Sequence, residues 1–481
     1  MTRTTMARLA GPAALAVFLL LPAPPDLTQP AWYMLGVTAW MAIWWISEAV
    51  PIPATALLPI VLFPLLGILP AAEATLAYAN HLIYLFMGGF MIAVAMERWQ
   101  LHRRLALHVI RAVGTSPARL VLGFMLATAL LSMWISNTAT AMLMVTIGLA
   151  VLKQLLPGEK ASDSPLGTAL MLGIAYAASI GGVATLIGTP PNAVLAAVLE
   201  RYYGIELQFA VWMRFALPLS VLMLLLTWLY LTRVAFALDN VQCEESSGQI
   251  RDQLRRLGRP SAAEKRVALV FAAVALLWIG HGLIDWAPFQ AVKDSTIAIG
   301  GALLLFALPA GDGKGSRLLD WQTAVRIPWD IILLFGGGLS LAAGFSETGL
   351  TTWLAGQLRF LEGAPMPLLI LGTGVLVIFL TEVTSNTATA SLMLPVLGAL
   401  AQALQISPLL LMVTATLCAS FAFMLPVATP PNAIVFGSRC IRMAQMARAG
   451  LWLNVLGVLL ISLFVYLWGV AFPQSQQLFN L

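Results

Sequence analysis

Apolar runs long enough to cross a bilayer recur along almost the whole chain. A membrane span needs about 20 mostly apolar residues. Such runs lie near 8–24, 30–49, 51–70, 78–97, 165–200, 209–233, 266–286, 295–311, 328–350, 407–438 and 449–472. Two further stretches, 118–153 and 364–403, are longer, and each carries a polar tripeptide at its middle: Ser136-Asn137-Thr138 and Ser385-Asn386-Thr387. A polar tripeptide in mid-stretch predicts two half-length helices that meet at a tip. Irregular backbone at membrane depth is tolerated only where it is buried in protein or lines a cavity. Both stretches therefore read as re-entrant hairpins that enter and leave on one side. The pattern predicts an all-α polytopic membrane protein with eleven spans and two hairpins.

The same landmarks occur twice. Leu85-Phe86-Met87-Gly88-Gly89 matches Leu334-Phe335-Gly336-Gly337-Gly338, and SNTATAML from Ser136 matches SNTATASL from Ser385, both at an offset of 249. Thr189-Pro190-Pro191-Asn192 matches Thr429-Pro430-Pro431-Asn432 at an offset of 240; the difference falls where the first half has a polar insert around Gly158–Asp163. Each half contains five spans and one hairpin, and an extra span precedes them. An odd number of spans inverts the second half relative to the first, a common plan of secondary transporters. The hairpins then open from opposite sides and their tips can meet near the midplane. The polar segment 238–264, with Glu244, Glu245, Arg251, Arg255, Arg256 and Arg259, reads as a cytoplasmic linker with a solvated charged face.

Composition and charge agree. Of 481 residues, 60% are apolar and only 10% are Asp, Glu, Lys or Arg, against about 25% charged in a soluble domain. That excludes a soluble globule and a disordered chain. The net charge of +5 serves to orient helices rather than to bind nucleic acid. With the N-terminus in the cytoplasm and the C-terminus outside, only Arg201, Arg214, Lys293 and Arg359 fall outside; the other 22 of 26 basic residues fall inside, as the positive-inside rule requires. Residues 8–22 have the basic start and short apolar run of a signal peptide, but read better as a retained first span. Cys243, Cys418 and Cys440 are far apart and define neither a disulfide framework nor a zinc site.

Ser, Asn and Thr at a tip offer hydroxyl and amide oxygens to a cation and O–H and N–H donors to a carboxylate. Half-helix N-termini attract anions, and exposed carbonyls attract Na⁺. Consecutive prolines cannot continue a helix, so the Thr-Pro-Pro-Asn segments should break spans 165–200 and 407–438 and free the carbonyls of Gly188 and Ala428 for a hard cation. The plainer alternative is hydrogen bonding across packed helices; duplication of both motifs argues against it. Glu382 stands inside an apolar stretch. It reads either as a proton relay or as a carboxylate paired with a basic group or backbone donors near the hairpin. Glu48 reads as interfacial structure, and Asp330 as a helix N-cap or first-turn acid. His81, His102, His108 and His281 show no metal-ligand spacing. The glycine pairs permit close helix contact. No catalytic constellation is present.

With these motifs in hand, the chain resembles the divalent anion:sodium symporter family, the dicarboxylate, citrate and sulfate carriers of solute carrier 13 type. The resemblance covers nearly the whole length and rests on Trp45–Pro51, Met96–Trp99, both Ser-Asn-Thr tips, Ile187–Asn192 and Thr381–Thr387. It implies a homodimer in a bacterial-type inner membrane, with scaffold and transport domains moving as an elevator. The division is an N-terminal span 1–29, scaffold 30–117, hairpin and broken helix 118–237, linker 238–264, scaffold 265–362, and hairpin and broken helix 363–481. Carried over by position, one sodium site comprises Ser132, Ser136, Asn137 and Gly188, and the other Thr381, Thr384, Asn386 and Ala428. Substrate carboxylates would meet Asn137, Thr138, Asn386 and Thr387, with Thr189, Thr429 and Pro430 nearby. Ser132 and Thr381 each stand one helical turn before the tip serine. Thr384 departs from a smaller residue common at its place; if only its backbone binds, nothing changes.

The reading is Na⁺-coupled uptake of a dianion such as succinate, malate or fumarate, with two or more Na⁺ carried and no organic cofactor. The transport core offers no Lys or Arg to neutralise the dianion, so bound Na⁺ and helix dipoles must do so. Three readings of other kinds stand beside it: an exchanger of the same fold, a sulfate or citrate carrier, and a proton-coupled organic-anion or arsenite-type carrier leaning on Glu382.

Overall fold

The computed structural model describes residues 3–114, 116–155, 164–238, 247–281, 284 and 292–471. The polar insert 158–163, Cys243, Glu244 and Glu245 lie outside the described residues. Among the described residues all named elements are helices; a single isolated bridge joins Pro309 and Arg317.

The first half comprises α1 (Arg3–Leu20), α2 (Gln29–Ser47), α3 (Ile52–Thr55), α4 (Leu58–Leu65), α5 (Ala71–Leu76), α6 (His81–Arg98), α7 (Leu101–Val113), α8 (Pro117–Ser132), α9 (Asn137–Leu155), α10 (Pro165–Val183), α11 (Pro190–Tyr203) and α12 (Phe209–Leu229). After α13 (Ser247–Leu257), the second half comprises α14 (Ala262–His281), α15 (Asp294–Ala307), α16 (Trp321–Ala324), α17 (Trp329–Glu347), α18 (Leu350–Gln357), α19 (Met366–Leu380), α20 (Asn386–Ala403), α21 (Pro408–Ala419), α22 (Pro430–Gly437) and α23 (Met443–Tyr466). From α6 onward each helix of the first half has a successor in the second: α6 and α17, α7 and α18, α8–α9 and α19–α20, α10–α11 and α21–α22, α12 and α23.

The polar interruptions become caps. Asn80 Oδ1 accepts from Leu82 N at 2.8 Å, Ser164 Oγ from Gly167 N at 2.9 Å, and Asp320 Oδ1 from Thr323 N at 2.8 Å. Each satisfies an N–H that the first helical turn leaves free. Prolines gather at first helical positions (Pro117, Pro165, Pro190, Pro408, Pro430), where a missing N–H costs nothing. The glycine motifs allow close crossings. A Cβ on Gly88 would lie 2.6 Å from the Ala298 carbonyl carbon, and one on Gly337 would lie 2.7 Å from Ala56 Cβ.

Both long stretches break at their tips, between Ser132 and Asn137 and between Leu380 and Asn386, as the sequence predicts. The predicted span 51–70 is built from two short helices, α3 and α4, rather than one continuous helix. Pro51, Pro53, Pro59 and Pro64 crowd it, and the Ala54 carbonyl accepts from Leu57 N, ending the first turn. Sequence reading also passed over α7, whose Leu101, Ala106, Leu107 and Ile110 are buried while basic residues occupy its other face. Its hydrophobic and charged positions alternate at helical period, so no long apolar run marks it.

Six helical stretches among the described residues are long and apolar enough to cross a membrane: Ala71–Arg98, Asn137–Leu155, Pro165–Val183, Phe209–Ala235, Trp329–Glu347 and Met443–Gly469. The other apolar helices are shorter, as limbs of hairpins and halves of broken helices would be. α10 is buried all round, at the centre of the bundle. α1, α2 and α4 share a second apolar cluster with α17. The ion pair Arg98–Asp320 (2.5 Å) ties the end of α6 to the start of α16, and Arg104 pairs with Glu264 between α7 and α14.

Candidate functional site

Four half-helices start at one place. The N-termini of α9 and α20 carry the two Ser-Asn-Thr tips, and those of α11 and α22 carry the two Thr-Pro-Pro-Asn segments. Ser136, Asn137, Thr138, Gly188, Thr189, Pro190, Ser385, Asn386, Thr387, Ala428, Thr429 and Pro430 line a single open cavity of about 430 Å³. All seven residues assigned to substrate by the sequence are among them. Among the described residues no Lys, Arg or His lines the cavity; the charged residues lining it are Glu48 and Asp330. Each helix N-terminus carries roughly half a positive charge, so four of them present an anion with a favourable field in place of a basic side chain; backbone N–H donors come from α9 and α20, because α11 and α22 begin with Pro-Pro, which has none.

Behind the cavity the opposite helix ends meet oxygen-rich clusters. Ser132 and Thr381 are buried at the ends of α8 and α19. Ser132 Oγ lies 2.7 Å from Ala178 O and also hydrogen-bonds Asn137 Oδ1. Thr381 Oγ1 lies 2.8 Å from Ala419 O and 2.8 Å from Asn386 Oδ1. A hydroxyl has one hydrogen to give. In each cluster two acceptors therefore compete for it, and one oxygen is left facing lone pairs. In the first cluster the excess is larger. The Asn137 amide atom turned inward also lies 3.1 Å from Ala178 O and 3.3 Å from Gly188 O. As oxygen it meets two carbonyl acceptors besides the contested Ser132 hydroxyl. Either the amide rotates and its nitrogen donates to them, or a cation sits among the oxygens. Oxygen ligands converging without donors suit a hard cation.

Among the other residues assigned to sodium, Ser136, Gly188 and Ala428 line the cavity beside these clusters. The Thr384 hydroxyl is engaged elsewhere: it hydrogen-bonds Leu380 O at 3.0 Å and meets Thr389 Oγ1. Only the Thr384 backbone is left to contribute.

Residues 3–473 match the family described as "Sodium:sulfate symporter transmembrane region". The chain belongs to this family. Among curated proteins it is 44% identical over 464 residues to the sodium-dependent dicarboxylate transporter SdcS of Staphylococcus saprophyticus, covering 95% of this chain and 89% of that protein. It is 45% identical, with the same coverage, to SdcS of Staphylococcus aureus strain USA300. Among solved structures, the Alcanivorax borkumensis YdaH transporter matches with a TM-score of 0.57 at 16% identity, covering 93% of this chain and 99% of that one. Neisseria gonorrhoeae MtrF matches with a TM-score of 0.58 at 13% identity, covering 94% and 97%. Those two share the fold. A member of a symporter family is a transporter rather than an enzyme, and the six long apolar helices make this one a multi-pass membrane protein.

Several residues that shape the site are not among those the sequence assigns to substrate or sodium. In both halves the Asn of Thr-Pro-Pro-Asn pins the helix break. Asn192 Nδ2 donates to Thr185 O (2.7 Å) and Val183 O (3.1 Å); Asn432 Nδ2 donates to Ala422 O and Leu425 O (3.0 Å each). Their duplication at the 240-residue offset was the available signal. Thr185 Oγ1 donates to Met133 O (2.5 Å) and accepts from Gly188 N (3.1 Å), tying the first tip to the first break. Glu382 meets backbone donors, the second of its two sequence readings. Its carboxylate accepts from Phe423 N (2.7 Å), Met424 N (2.9 Å), Leu425 N (3.0 Å) and Asn454 Nδ2 (2.7 Å). Glu48 ends α2 with a left-handed φ of 47°, and Asp330 sits in the first turn of α17. Both face the cavity, which their sequence surroundings of Pro and Trp did not indicate.

Proposed function

We propose that the chain is a secondary active transporter of the plasma membrane that imports C4-dicarboxylates such as succinate, malate and fumarate with Na⁺. The observation that carries this reading is the pairing of an anion-attracting cavity lined by no basic side chain with two oxygen clusters directly behind it. A dianion brought to membrane depth without counter-charge is strongly disfavoured. Na⁺ at Ser132, Ser136, Asn137 and Gly188, and at Thr381, Asn386, Ala428 and the Thr384 backbone, supplies that charge. Asn137, Thr138, Thr189, Asn386, Thr387, Thr429 and Pro430 then receive the carboxylates. The SdcS relatives, sodium-dependent dicarboxylate transporters, favour dicarboxylates. The family's description favours sulfate as a second reading, because hydroxyl and amide donors accept either anion.

The transport mechanism in this reading is an elevator. Segments 118–237 and 363–481 form the mobile unit, 30–117 and 265–362 the scaffold, and two copies form a homodimer. The two halves are inverted repeats within eleven spans, the N-terminus is cytoplasmic and the C-terminus is outside. On that topology the loops at 48–53 and 328–331, which line the cavity, lie on the cytoplasmic side, so the arrangement described is inward-open.

Uptake and counterflow of radiolabelled succinate in proteoliposomes test the proposal, with malate, fumarate, citrate, sulfate and glutamate as competitors. Succinate uptake driven by an inward Na⁺ gradient, blocked by malate and fumarate and little affected by sulfate, is expected. Uptake unchanged when choline replaces Na⁺ contradicts the coupling; inhibition by sulfate alone moves the assignment to the second reading.

A further inference from the structure

At the end of α11 remote from the cavity, charged groups from three helices converge. α11 starts in the cavity at Pro190 and reaches Glu200 about 15 Å further along its axis. There Glu200 Oε2 lies 2.6 Å from His81 Nε2, at the first residue of α6. Glu200 Oε1 lies 3.7 Å from Lys293 Nζ, which also pairs with Glu206 at 2.6 Å. Lys293 immediately precedes α15. The next residue, Asp294, accepts from Phe209 N (2.9 Å), the first residue of α12, and from His281 Nδ1 of α14 (3.0 Å). Directly beneath, Trp134 in the first tip stacks on Phe209 (5.8 Å, 22°), and Phe209 stacks on Trp278 (4.9 Å, 19°).

The contacts of Glu200 with His81 and Lys293, of Lys293 with Glu206, of Asp294 with Phe209 and of Phe209 with Trp278 join the mobile unit to the scaffold, while His281 steadies Asp294 within the scaffold and Trp134 packs on Phe209 within the mobile unit. A unit that slides past the scaffold must separate the contacts that join the two. The groups are partly exposed, with side-chain exposures of 35% for His81, 27% for Glu200 and 41% for Lys293, so water can take over their hydrogen bonds once they part.

We propose that His81, Glu200, Lys293 and Glu206, with the Asp294–Phe209 cap, form an outer latch that holds the inward-open state and must open before the site can face outward. This rests on the elevator reading above. The latch acts through the first tip: Trp134 lies between Met133, whose carbonyl accepts from Thr185, and Ser136, so its stack on Phe209 links the latch to the first sodium cluster. Occupation of that cluster and release of the latch are thereby coupled.

The test is the distance between spin labels at Leu76 on the scaffold and Gln402 on the mobile unit. It is measured in proteoliposomes of the full chain with Cys243, Cys418 and Cys440 replaced. One dominant distance is expected in the latched protein. His81→Ala and Glu200→Gln should each raise the population at a second distance roughly two- to fivefold, as befits loss of a partly exposed ion pair. His81→Lys, which places a donor and a cation opposite Glu200, should restore the original distribution, a rescue that a merely structural histidine would not show. Distributions unchanged in both variants while uptake continues overturn the latch. A single distance in every actively transporting preparation overturns it together with the sliding motion. Absence of Na⁺-driven uptake in the unmutated protein removes the proposed function, and the label distances then decide the latch alone.

Discussion

The two tips are built to one plan but anchored differently. In each, a hydroxyl one turn before the tip lies between the tip asparagine and a backbone carbonyl: Ser132 with Asn137 and Ala178, and Thr381 with Asn386 and Ala419. In each, the second proline-linked asparagine clamps the break of the neighbouring helix. The second half adds Glu382, whose carboxylate gathers three backbone N–H groups and Asn454. At the corresponding place the first half has Met133, and there the Thr185 hydroxyl bridges tip to break. The second break, 420–429, is longer than the first, 184–189, and so leaves more N–H groups to satisfy. A longer interruption at membrane depth needs a stronger acceptor.

The largest effects should come from the tips themselves. Asn137→Ala and Asn386→Ala each remove a group that faces both the cavity and a cation cluster, and each should lower succinate uptake roughly a hundredfold, the loss expected of about two hydrogen bonds to charged partners. The comparison is sharpened by the sodium concentration for half-maximal uptake. Asn137→Ala should raise it more than Asn386→Ala, because the Asn137 amide meets Ala178 O and Gly188 O besides the Ser132 hydroxyl, whereas the Asn386 oxygen meets the Thr381 hydroxyl. Equal shifts would mean the clusters are interchangeable.

Next comes the anchor. Glu382→Gln leaves one acceptor oxygen where two served four donors, and should cost roughly 1–3 kcal/mol of stability and about tenfold in uptake. Met133→Leu, at the matching place, should change uptake less than about twofold, since volume is conserved. Thermal unfolding in detergent together with initial uptake rates reads both. A Glu382→Gln protein with full uptake would deny the carboxylate its anchoring role; proton-driven, Na⁺-independent uptake in the unmutated protein that is lost in Glu382→Gln would revive the proton-coupled alternative.

Gly188 and Ala428 give a smaller, one-sided contrast. They stand at equivalent positions, and a methyl is present only in the second half. A Cβ on Gly188 would lie 2.9 Å from Gly182 Cα and closer still to its carbonyl oxygen. Gly188→Ala should therefore destabilise by about 1–3 kcal/mol, while Ala428→Gly should cost under about 1 kcal/mol. The smallest effect belongs to Thr384→Ala: with its hydroxyl committed to Leu380 O and Thr389, loss of about 1 kcal/mol in stability and uptake within about twofold are expected. A large rise in the sodium requirement would show that the hydroxyl does reach the ion.

The site was more legible in the sequence than the frame around it, for physical reasons. Polar residues in the middle of an apolar stretch are costly, so Ser136–Thr138 and Ser385–Thr387 stand out, and duplication made them unmistakable. Pro190 and Pro430 marked the breaks, although they begin the second half-helices rather than end the first; the helices stop earlier, at Val183 and Ala419. Glu382 was visible as a buried carboxylate, but its donors come from residues 423–425 and 454, which only the fold brings near. α3 and α4 were hidden because prolines interrupt the helix without lowering hydrophobicity. Glu48 and Asp330 flank apolar segments, where a carboxylate is unremarkable until the cavity is seen. The contacts of His81 with Glu200 and of Lys293 with Glu206 join distant parts of the chain and left no local pattern.

The account stands on metal ions completing an anion site that the polypeptide leaves short of positive charge. Equilibrium binding of radiolabelled succinate to the purified protein, in Na⁺ and in choline at equal ionic strength, addresses that directly. Affinity at least about tenfold higher in Na⁺ is predicted, with succinate raising sodium affinity by the same factor, as linkage demands. Equal affinity in the two salts would contradict it.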